Sequence, residues 1–359
     1  MSIRSSVAHL AVVALTVVTL SAPASADIKE FRDWVAACDN QRACSAYGFD
    51  AELSGNNYLR LDRGGAADAG LRITIAVDAQ KDVKFKLAFD DPSLAGLPTE
   101  AVAGDANADD DYKRLVIADP QAVATALASL RKAKTLVITR IDPAGAPPSD
   151  PIKSEISLSG LAAALLWIDD QQKRVGTVTA LIGRGDKLAS AVPAVPALPI
   201  VVAAKRATGP APKKAPAAAI AKARAACEDK KISEADDATR LGAHDVMYWF
   251  HCADQSGAYN MISALVIESS GKPVRVAEFK FPAGWGADSR NYTPVNAGFD
   301  EETQTLSTFD KGRGIGDCGS ASDWAWDGQA FRMIQSKSMP ECHGLLQDDW
   351  PVLYRAGRK

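Results

Sequence analysis

The chain has 359 residues, 41 of them basic and 44 acidic, for a net charge of −3. The length predicts two domains rather than one. The near-neutral balance leaves no basic footprint for nucleic acid, which is excluded as a partner.

The start reads as a secretory signal over residues 1–26. Arg4 supplies a charged n-region, Val7 to Leu20 an apolar core, and Ala24-Ser-Ala26 a cleavage site. The apolar run is too short for a stable membrane span, so no transmembrane segment is expected after cleavage. No lipobox cysteine follows it, and no lipid anchor is expected. The mature chain would begin at Asp27, and a periplasmic or secreted location follows. All six cysteines, at 38, 44, 227, 252, 318 and 342, lie beyond the cleavage site. An even set in an exported chain reads as a disulfide framework. Six cysteines allow fifteen pairings, of which the simplest joins neighbours: Cys38–Cys44, Cys227–Cys252 and Cys318–Cys342. His251 and His343 each adjoin a cysteine, which raises a metal site as the competing reading. No C-x-x-C spacing supports it, and an oxidising compartment disfavours free thiolates, so neither metal nor other cofactor is expected.

Residues 27–190 predict an α+β domain, an antiparallel sheet with two helices on one face. Phe31 to Cys38 and Cys44 to Phe49 read as two short strands joined by a tight loop. Leu71, Ile73, Ile75 and Val77 alternate, as do Val83, Phe85, Leu87 and Phe89 after a polar turn, which predicts a half-buried hairpin. The run Asp105 to Asp111 begins like a calcium loop but has Asp110 where glycine is needed and Val116 where the last acid is needed. It reads as a solvated loop. Asp119-Pro120 starts a helix, a capping carboxylate followed by proline at the first helical position. Val123, Leu127 and Leu130 form its buried stripe, and Leu136 to Ile141 is then a strand. After the proline-rich loop 143–151, Ser154 to Leu158 is another strand. Ser159 is expected to cap a second helix with Leu161, Leu165 and Ile168 on one face, ending at a C′ glycine, Gly176.

Residues 191–219 are rich in Ala, Pro, Val and Lys without a period, and read as an extended, solvated linker. Residues 220–359 predict an antiparallel β-meander stapled by two disulfides, so the chain as a whole is α+β and mainly β. A short helix spans Ala217 to Cys227. Strands are expected over Val246–Cys252, Tyr259–Ile267, Val295–Phe299, Thr305–Phe309 and Trp350–Tyr354. Val274 to Phe281 changes alternation phase near Ala277, which predicts a bulge.

The C-terminal half centres on Lys311-Gly-Arg-Gly-Ile-Gly-Asp-Cys-Gly319 and the hairpin that follows it. Asp327-Gly328 is a two-residue turn signal. That turn would pair Trp324 with Phe331 and Asp323 with Arg332, and place Trp324, Trp326, Phe331 and Met333 on one face. Gly314 to Gly319 also spells G-x-G-x-x-G, but it leads into a hairpin rather than a helix, which argues against a dinucleotide site.

Several stretches together resemble a bacterial family known as domain of unknown function 1176. They are Phe31-x-x-Trp34-x-x-x-Cys38, Gly160 to Asp169 with Arg174-x-Gly176-Thr177, Tyr248-Trp-Phe-x-Cys252 with Gly257-Ala-Tyr-Asn260, Lys311 to Cys318, and Trp324-x-Trp-Asp-Gly328. The first half alone is similar to the invasion-associated locus B family of secreted proteins. The resemblance implies an exported envelope protein of unassigned activity and supplies no catalytic residue.

Catalysis needs a nucleophile–base pair, paired acids or a metal. The three histidines of the mature chain, His244, His251 and His343, sit in no G-x-S-x-G or H-E-x-x-H context. Arg184-Gly185-Asp186 spells an adhesion tripeptide, a chance-level match. A binding or interaction protein of the envelope, with a protein or glycan partner, is the favoured reading. The alternatives are an envelope hydrolase using Asp317, Asp323 and Asp327, and a purely structural component. The candidate binding surface is the glycine-rich loop, with Lys311, Arg313 and Asp317 beside Trp324 and Trp326. Mass measurement of the protein from the envelope fraction should show a chain starting at Asp27; an intact Met1 there would contradict export by this signal.

Overall fold

The computed structural model describes residues 27–50, 57–78, 84–98, 100–102, 112–141, 153–206, 209–228, 230–233, 237–285 and 292–359. The signal, Val83, the acidic run 105–111 and the loop 143–151 lie outside the described residues. The first half contains β1 (Asp27–Phe31), β2 (Trp34–Cys38), β3 (Cys44–Phe49), β4 (Tyr58–Arg63), β5 (Leu71–Asp78), β6 (Lys84–Phe89), β7 (Glu100–Val102) and β8 (Tyr112–Ile117). Helix α1 (Pro120–Leu130), β9 (Thr135–Ile141), β10 (Lys153–Ser157) and α2 (Leu161–Gln171) complete it. β1 to β5 form an antiparallel sheet in chain order, extended by β8, and β10, β9, β6 and β7 form a second sheet.

Alternation along the first sheet builds two cores at once, because successive side chains leave a strand on opposite faces. Trp34, Ala36, Ala46, Leu59, Leu61, Ile73 and Ile75 join one cluster with Phe85 and Leu87 of the second sheet and Leu127 and Leu165 of the helices. Val35, Tyr47, Tyr58 and Ala76 lie on the opposite face, in a cluster with Ala321, Met339, Leu345 and Trp350 of the second half. The sheet therefore has hydrophobic side chains buried on both faces.

Several local expectations need correcting. The stretch before Cys38 is two strands, not one, because Arg32 takes a positive φ of 58° and turns the chain between β1 and β2. β5 and β6 alternate as expected but do not pair; β5 lies between β4 and β8, and β6 pairs with β7 and β9. The chain crosses between sheets there, so each strand finds its partners elsewhere. Asp119 caps α1 by accepting from Ala122 N at 2.9 Å, as expected. Ser159 does not cap α2. The cap is Gly160 at φ 105°, where a Cβ would lie 1.8 Å from the Phe31 carbonyl oxygen. α2 ends at Gln171, and Lys173, not Gly176, takes the left-handed turn after it.

The second half contains β11 (Ile200–Val201), α3 (Ala217–Ala226), β12 (Asp237–Arg240), β13 (Asp245–His251), β14 (Ser263–Ser269), β15 (Arg275–Val276) and β16 (Phe279–Lys280). It continues through β17 (Gly298–Asp300), β18 (Thr305–Lys311), β19 (Gly319–Trp326), β20 (Phe331–Met339), β21 (Val352–Arg355) and β22 (Gly357–Arg358). β12 to β15 make one sheet; β16, β20, β19, β18 and β17 make another, with β21 also paired to β20. Met247, Leu265, Phe279, Trp324, Trp326, Phe331 and Met333 share the core between them. The phase change near Ala277 is a switch of sheets rather than a bulge within a strand, since β15 belongs to one sheet and β16 to the other. The three disulfides are Cys38–Cys44, Cys227–Cys252 and Cys318–Cys342, the neighbour pairing. One joins β2 to β3, one ties the end of α3 to the residue after β13, and one closes the last hairpin.

The described residues 192–206 and 209–216 form no helix and are mostly exposed, but they are tethered to the fold at several points. Arg42 donates to the carbonyls of Pro193, at 2.7 Å, and Ala194. β11 pairs in parallel with β22, and Ala204 N donates to the Trp326 carbonyl at 2.7 Å. The last hairpin also has a shifted register. Trp326 faces Phe331, and Trp324 faces Met333, so the loop is Asp327 to Ala330. The Asp327 carboxylate accepts from Gln329 N and Ala330 N at 2.7 Å and from Arg332, which fixes a four-residue loop where two were expected. The shift of two keeps the four large side chains on one face. It also removes the expected Asp323–Arg332 pair; Asp323 accepts from Ser307 instead.

Trp350 is 1% exposed and belongs to the cluster that joins the halves. Trp350→Ala should cost about 3–5 kcal/mol, the usual range for a buried aromatic truncated to alanine. Urea unfolding followed by far-ultraviolet circular dichroism should show one transition at a lower midpoint. A variant as stable as the wild type would contradict the shared cluster.

Candidate anion-binding cleft at the seam

On the first sheet's face toward the second half, strand register sets out two polar rows. Ser45, Asp62 and Arg72 stand opposite one another across β3, β4 and β5; Tyr47, Arg60 and Thr74 form the next row. Arg60 Nε donates to Asp62 at 2.7 Å, and Ser45 Oγ donates to the same carboxylate at 2.6 Å. From the second half, Asp349 meets this face. Its carboxylate accepts from Arg114 at 2.6 Å and lies 3.5 Å from Arg60, while Tyr47 donates its hydroxyl to the Asp349 carbonyl at 2.9 Å. A second clamp is Arg355, whose Nε donates to Asp39 at 2.6 Å and whose backbone N–H donates to Asn40 at 2.8 Å. His343 stacks on Phe49 with ring centroids 4.2 Å apart, adding a third crossing contact.

Between the clamps lies a cleft of about 380 Å³, within the range of small-ligand sites. Arg60, Arg63, Arg72 and Arg355 line it against two acids, Asp62 and Asp348. Trp350 and Val352 give it an apolar wall. The Arg72 side chain is exposed and makes neither ion pair nor hydrogen bond among the described residues. Asp348 projects into solvent, its side chain 99% exposed and 3.7 Å from Lys337.

A buried polar network behind the cleft fixes the end of β4. Asp169 is fully buried and accepts from the N–H groups of Leu181, Ile182 and Gly183 at 2.8, 2.7 and 3.2 Å. Gln172 donates to the carbonyls of Arg42, Arg63 and Gly64. Arg174 is fully buried too, and donates to Gln172, Thr179 and the carbonyls of Ala66 and Ala67. Arg63 donates to the carbonyls of Ala69 and Thr179 and lies 3.7 Å from Asp169. Burial and the neighbouring Arg174 pull the Arg63 guanidinium down to about 10, against the pull of Asp169.

The residues expected to form the binding surface are placed differently from one another. Trp324 and Trp326 are 0% and 3% exposed, inside the second-half core, so they present no face beside the loop. The loop itself is held by local bonds at both ends. Asn260 accepts from Lys311 N at 3.0 Å and donates to its carbonyl at 2.9 Å. Lys311 Nζ lies over the Phe309 ring. Arg313 forks onto Asp317 at 2.7 and 2.5 Å, and Asp317 also accepts from Gly344 N at 2.7 Å. Gly319 takes φ 128°, where a Cβ would lie 2.0 Å from the Asp310 carbonyl oxygen. Asp317, Asp323 and Asp327 are thus each engaged in local hydrogen bonds. The sequence reading missed Arg60, Arg72 and Arg355. Their signal was present as charges at polar positions of alternating strands, but a charged strand face ordinarily means solvent.

A mainly antiparallel, disulfide-stapled β protein, with an arginine-lined cleft where its two halves meet, is what these observations define. The chain belongs to the family described as protein of unknown function (DUF1176), whose profile matches residues 28–357. It is 30% identical over 342 residues to the uncharacterized protein YpfG of Escherichia coli (strain K12), covering 91% of this chain and 92% of that protein. A crystal structure of invasion associated protein b from Bartonella henselae overlaps 41% of this chain and 98% of its own, at 18% identity and a TM-score of 0.29. That overlap is too low to carry an argument about fold or function.

Burial pulls the Asp317 carboxyl up, but its bonds from Arg313 and Gly344 outweigh this and hold it below the usual range. A depressed folded value gives stability that is full above the unfolded carboxylate range, near about 3.9, and is lost as pH falls through the folded value. The stability difference between wild type and Asp317→Asn should therefore be constant above about pH 5 and shrink in acid. Urea midpoints measured from pH 7 to pH 3 would show it; a difference independent of pH would contradict the ion pair.

Proposed function

We propose that this is an exported envelope protein that binds an anionic small ligand in the seam cleft. Export rests on the signal-like start, and three disulfides fit an oxidising compartment. The observation that carries the binding reading is the lining of the cleft: Arg60, Arg72 and Arg355, contributed by both halves, with Asp62 and Asp348. Guanidinium groups present planar N–H forks that match anionic oxygens. Arg60 and Arg355 each spend Nε on a carboxylate within the seam. Arg72 has no such engagement among the described residues, so it is the residue a ligand would recruit. Concave placement between low-dielectric walls strengthens the field of these charges above that of the same residues on an open surface.

Titration calorimetry of the mature protein against a panel of hexuronate, a short oligoglutamate peptide and hexose 6-phosphate tests the reading. At least one should bind, binding should weaken with added salt, and Arg72→Glu should lower its affinity at least tenfold without moving the urea midpoint. No binding by any member, or binding unaffected by Arg72→Glu, would overturn the proposal.

A further inference from the structure

We propose that the anion taken by the seam cleft is a phosphomonoester rather than a carboxylate, an inference that rests on reading the cleft as an anion site. The cleft takes its arginines from three strands of the two halves: Arg60 from β4, Arg72 from β5 and Arg355 from β21. A carboxylate has two oxygens in one plane and is satisfied by one guanidinium fork. Donors approaching from separate strands suit a tetrahedral group with three terminal oxygens. Charge selects in the same direction. Arg60 and Arg355 share their charge with Asp62, Asp349 and Asp39, Arg72 has no such partner among the described residues, and a dianion gains more from these cations than a monoanion does. Asp62 is already engaged by Arg60 and Ser45, and Asp348 by Lys337. Arg355 bonds Asp39 through Nε, and its two terminal amino groups have no partner among the described residues. Together with Arg72 they are the donors open to a ligand.

The charged groups facing the cleft are Arg60, Arg63, Asp62 and Arg72 from the first half and Arg355 and Asp348 from the second. Behind them stand Asp39, Arg114, Asp169, Lys337 and Asp349. None of these is a histidine. A phosphomonoester takes its second charge near about pH 6, so the ligand, not the protein, would set a pH step between pH 5 and 7.5.

Calorimetry with hexose 6-phosphate and, in parallel, N-acetylglutamate tests this on the mature protein. The phosphate should bind about tenfold more tightly at pH 7.5 than at pH 5, following the dianion fraction of a group with second pKa near 6. The carboxylate should bind more weakly than the phosphate at pH 7.5 and change less than twofold. Arg72→Gln should flatten the phosphate step. Vesicles containing phosphatidic acid, assayed by co-sedimentation, separate the sources. Binding to vesicles with the same pH step assigns the group to a lipid headgroup, and binding to the sugar phosphate alone assigns it to a soluble ligand; both support the inference. Equal or tighter binding of the carboxylate, or a phosphate affinity flat with pH, overturns the inference and leaves the anion site standing. Failure of both probes, with no member of the wider panel binding, overturns both.

Discussion

The six-stranded sheet that runs from β1 through β5 to β8 buries hydrophobic side chains on both faces, and the rest of the molecule is arranged by that constraint. A sheet whose alternation is hydrophobic on one side needs only one partner layer. Here Val35, Tyr47, Tyr58 and Ala76 supply a second apolar face, which the second half covers with Trp350, Leu345 and Met339. Where apolar cover ends, the same strand face continues as the polar row of Ser45, Asp62 and Arg72, with Arg60 at the boundary. The cleft opens beside that row, with Trp350, Val352 and Arg355 of the second half on its other side. Site and seam are one feature: the residues that join the halves, Asp349 and Arg355, are neighbours of those left open toward solvent.

The buried network at Asp169, Gln172 and Arg174 explains how a charged site can stand on such a core. Buried polar groups are costly unless fully bonded, and these three are multiply bonded. Asp169 holds the loop 181–183, Arg174 holds the turn at Ala66 and Ala67, and Gln172 ties the two strand ends at Arg42 and Arg63. The network sets the backbone of Arg63 and so the rear wall of the cleft. It also accounts for the stretch from Gly160 to Thr177, whose Gln172 fixes the approach to β3 at Arg42 and the end of β4 at Arg63 and Gly64.

Local chemistry was legible in the sequence. Asp119-Pro120 starts α1, the alternation at Leu71 to Val77 is a strand, and each cysteine pairs with its neighbour. Partnership was not legible, because it is decided by contacts distant in the chain. β5 and β6 alternate like a hairpin yet enter different sheets. Trp324 and Trp326 sit next to an open loop in the chain yet point into the core between two sheets. Residues 191–219 have linker composition, but Arg42 captures their carbonyls. The cleft was the least legible of all: Arg60, Arg72 and Arg355 are separated by up to the whole length of the fold, and only strand register and the seam bring them together.

We propose one ligand site built from both halves. Hydrogen–deuterium exchange of the mature protein, with and without saturating hexose 6-phosphate, addresses it directly. The account requires ligand-dependent protection at β4 and β5 around residues 58–74 and, together with it, at residues 348–355. Protection confined to one half, or appearing only at the glycine-rich loop 311–319, would contradict a site at the seam.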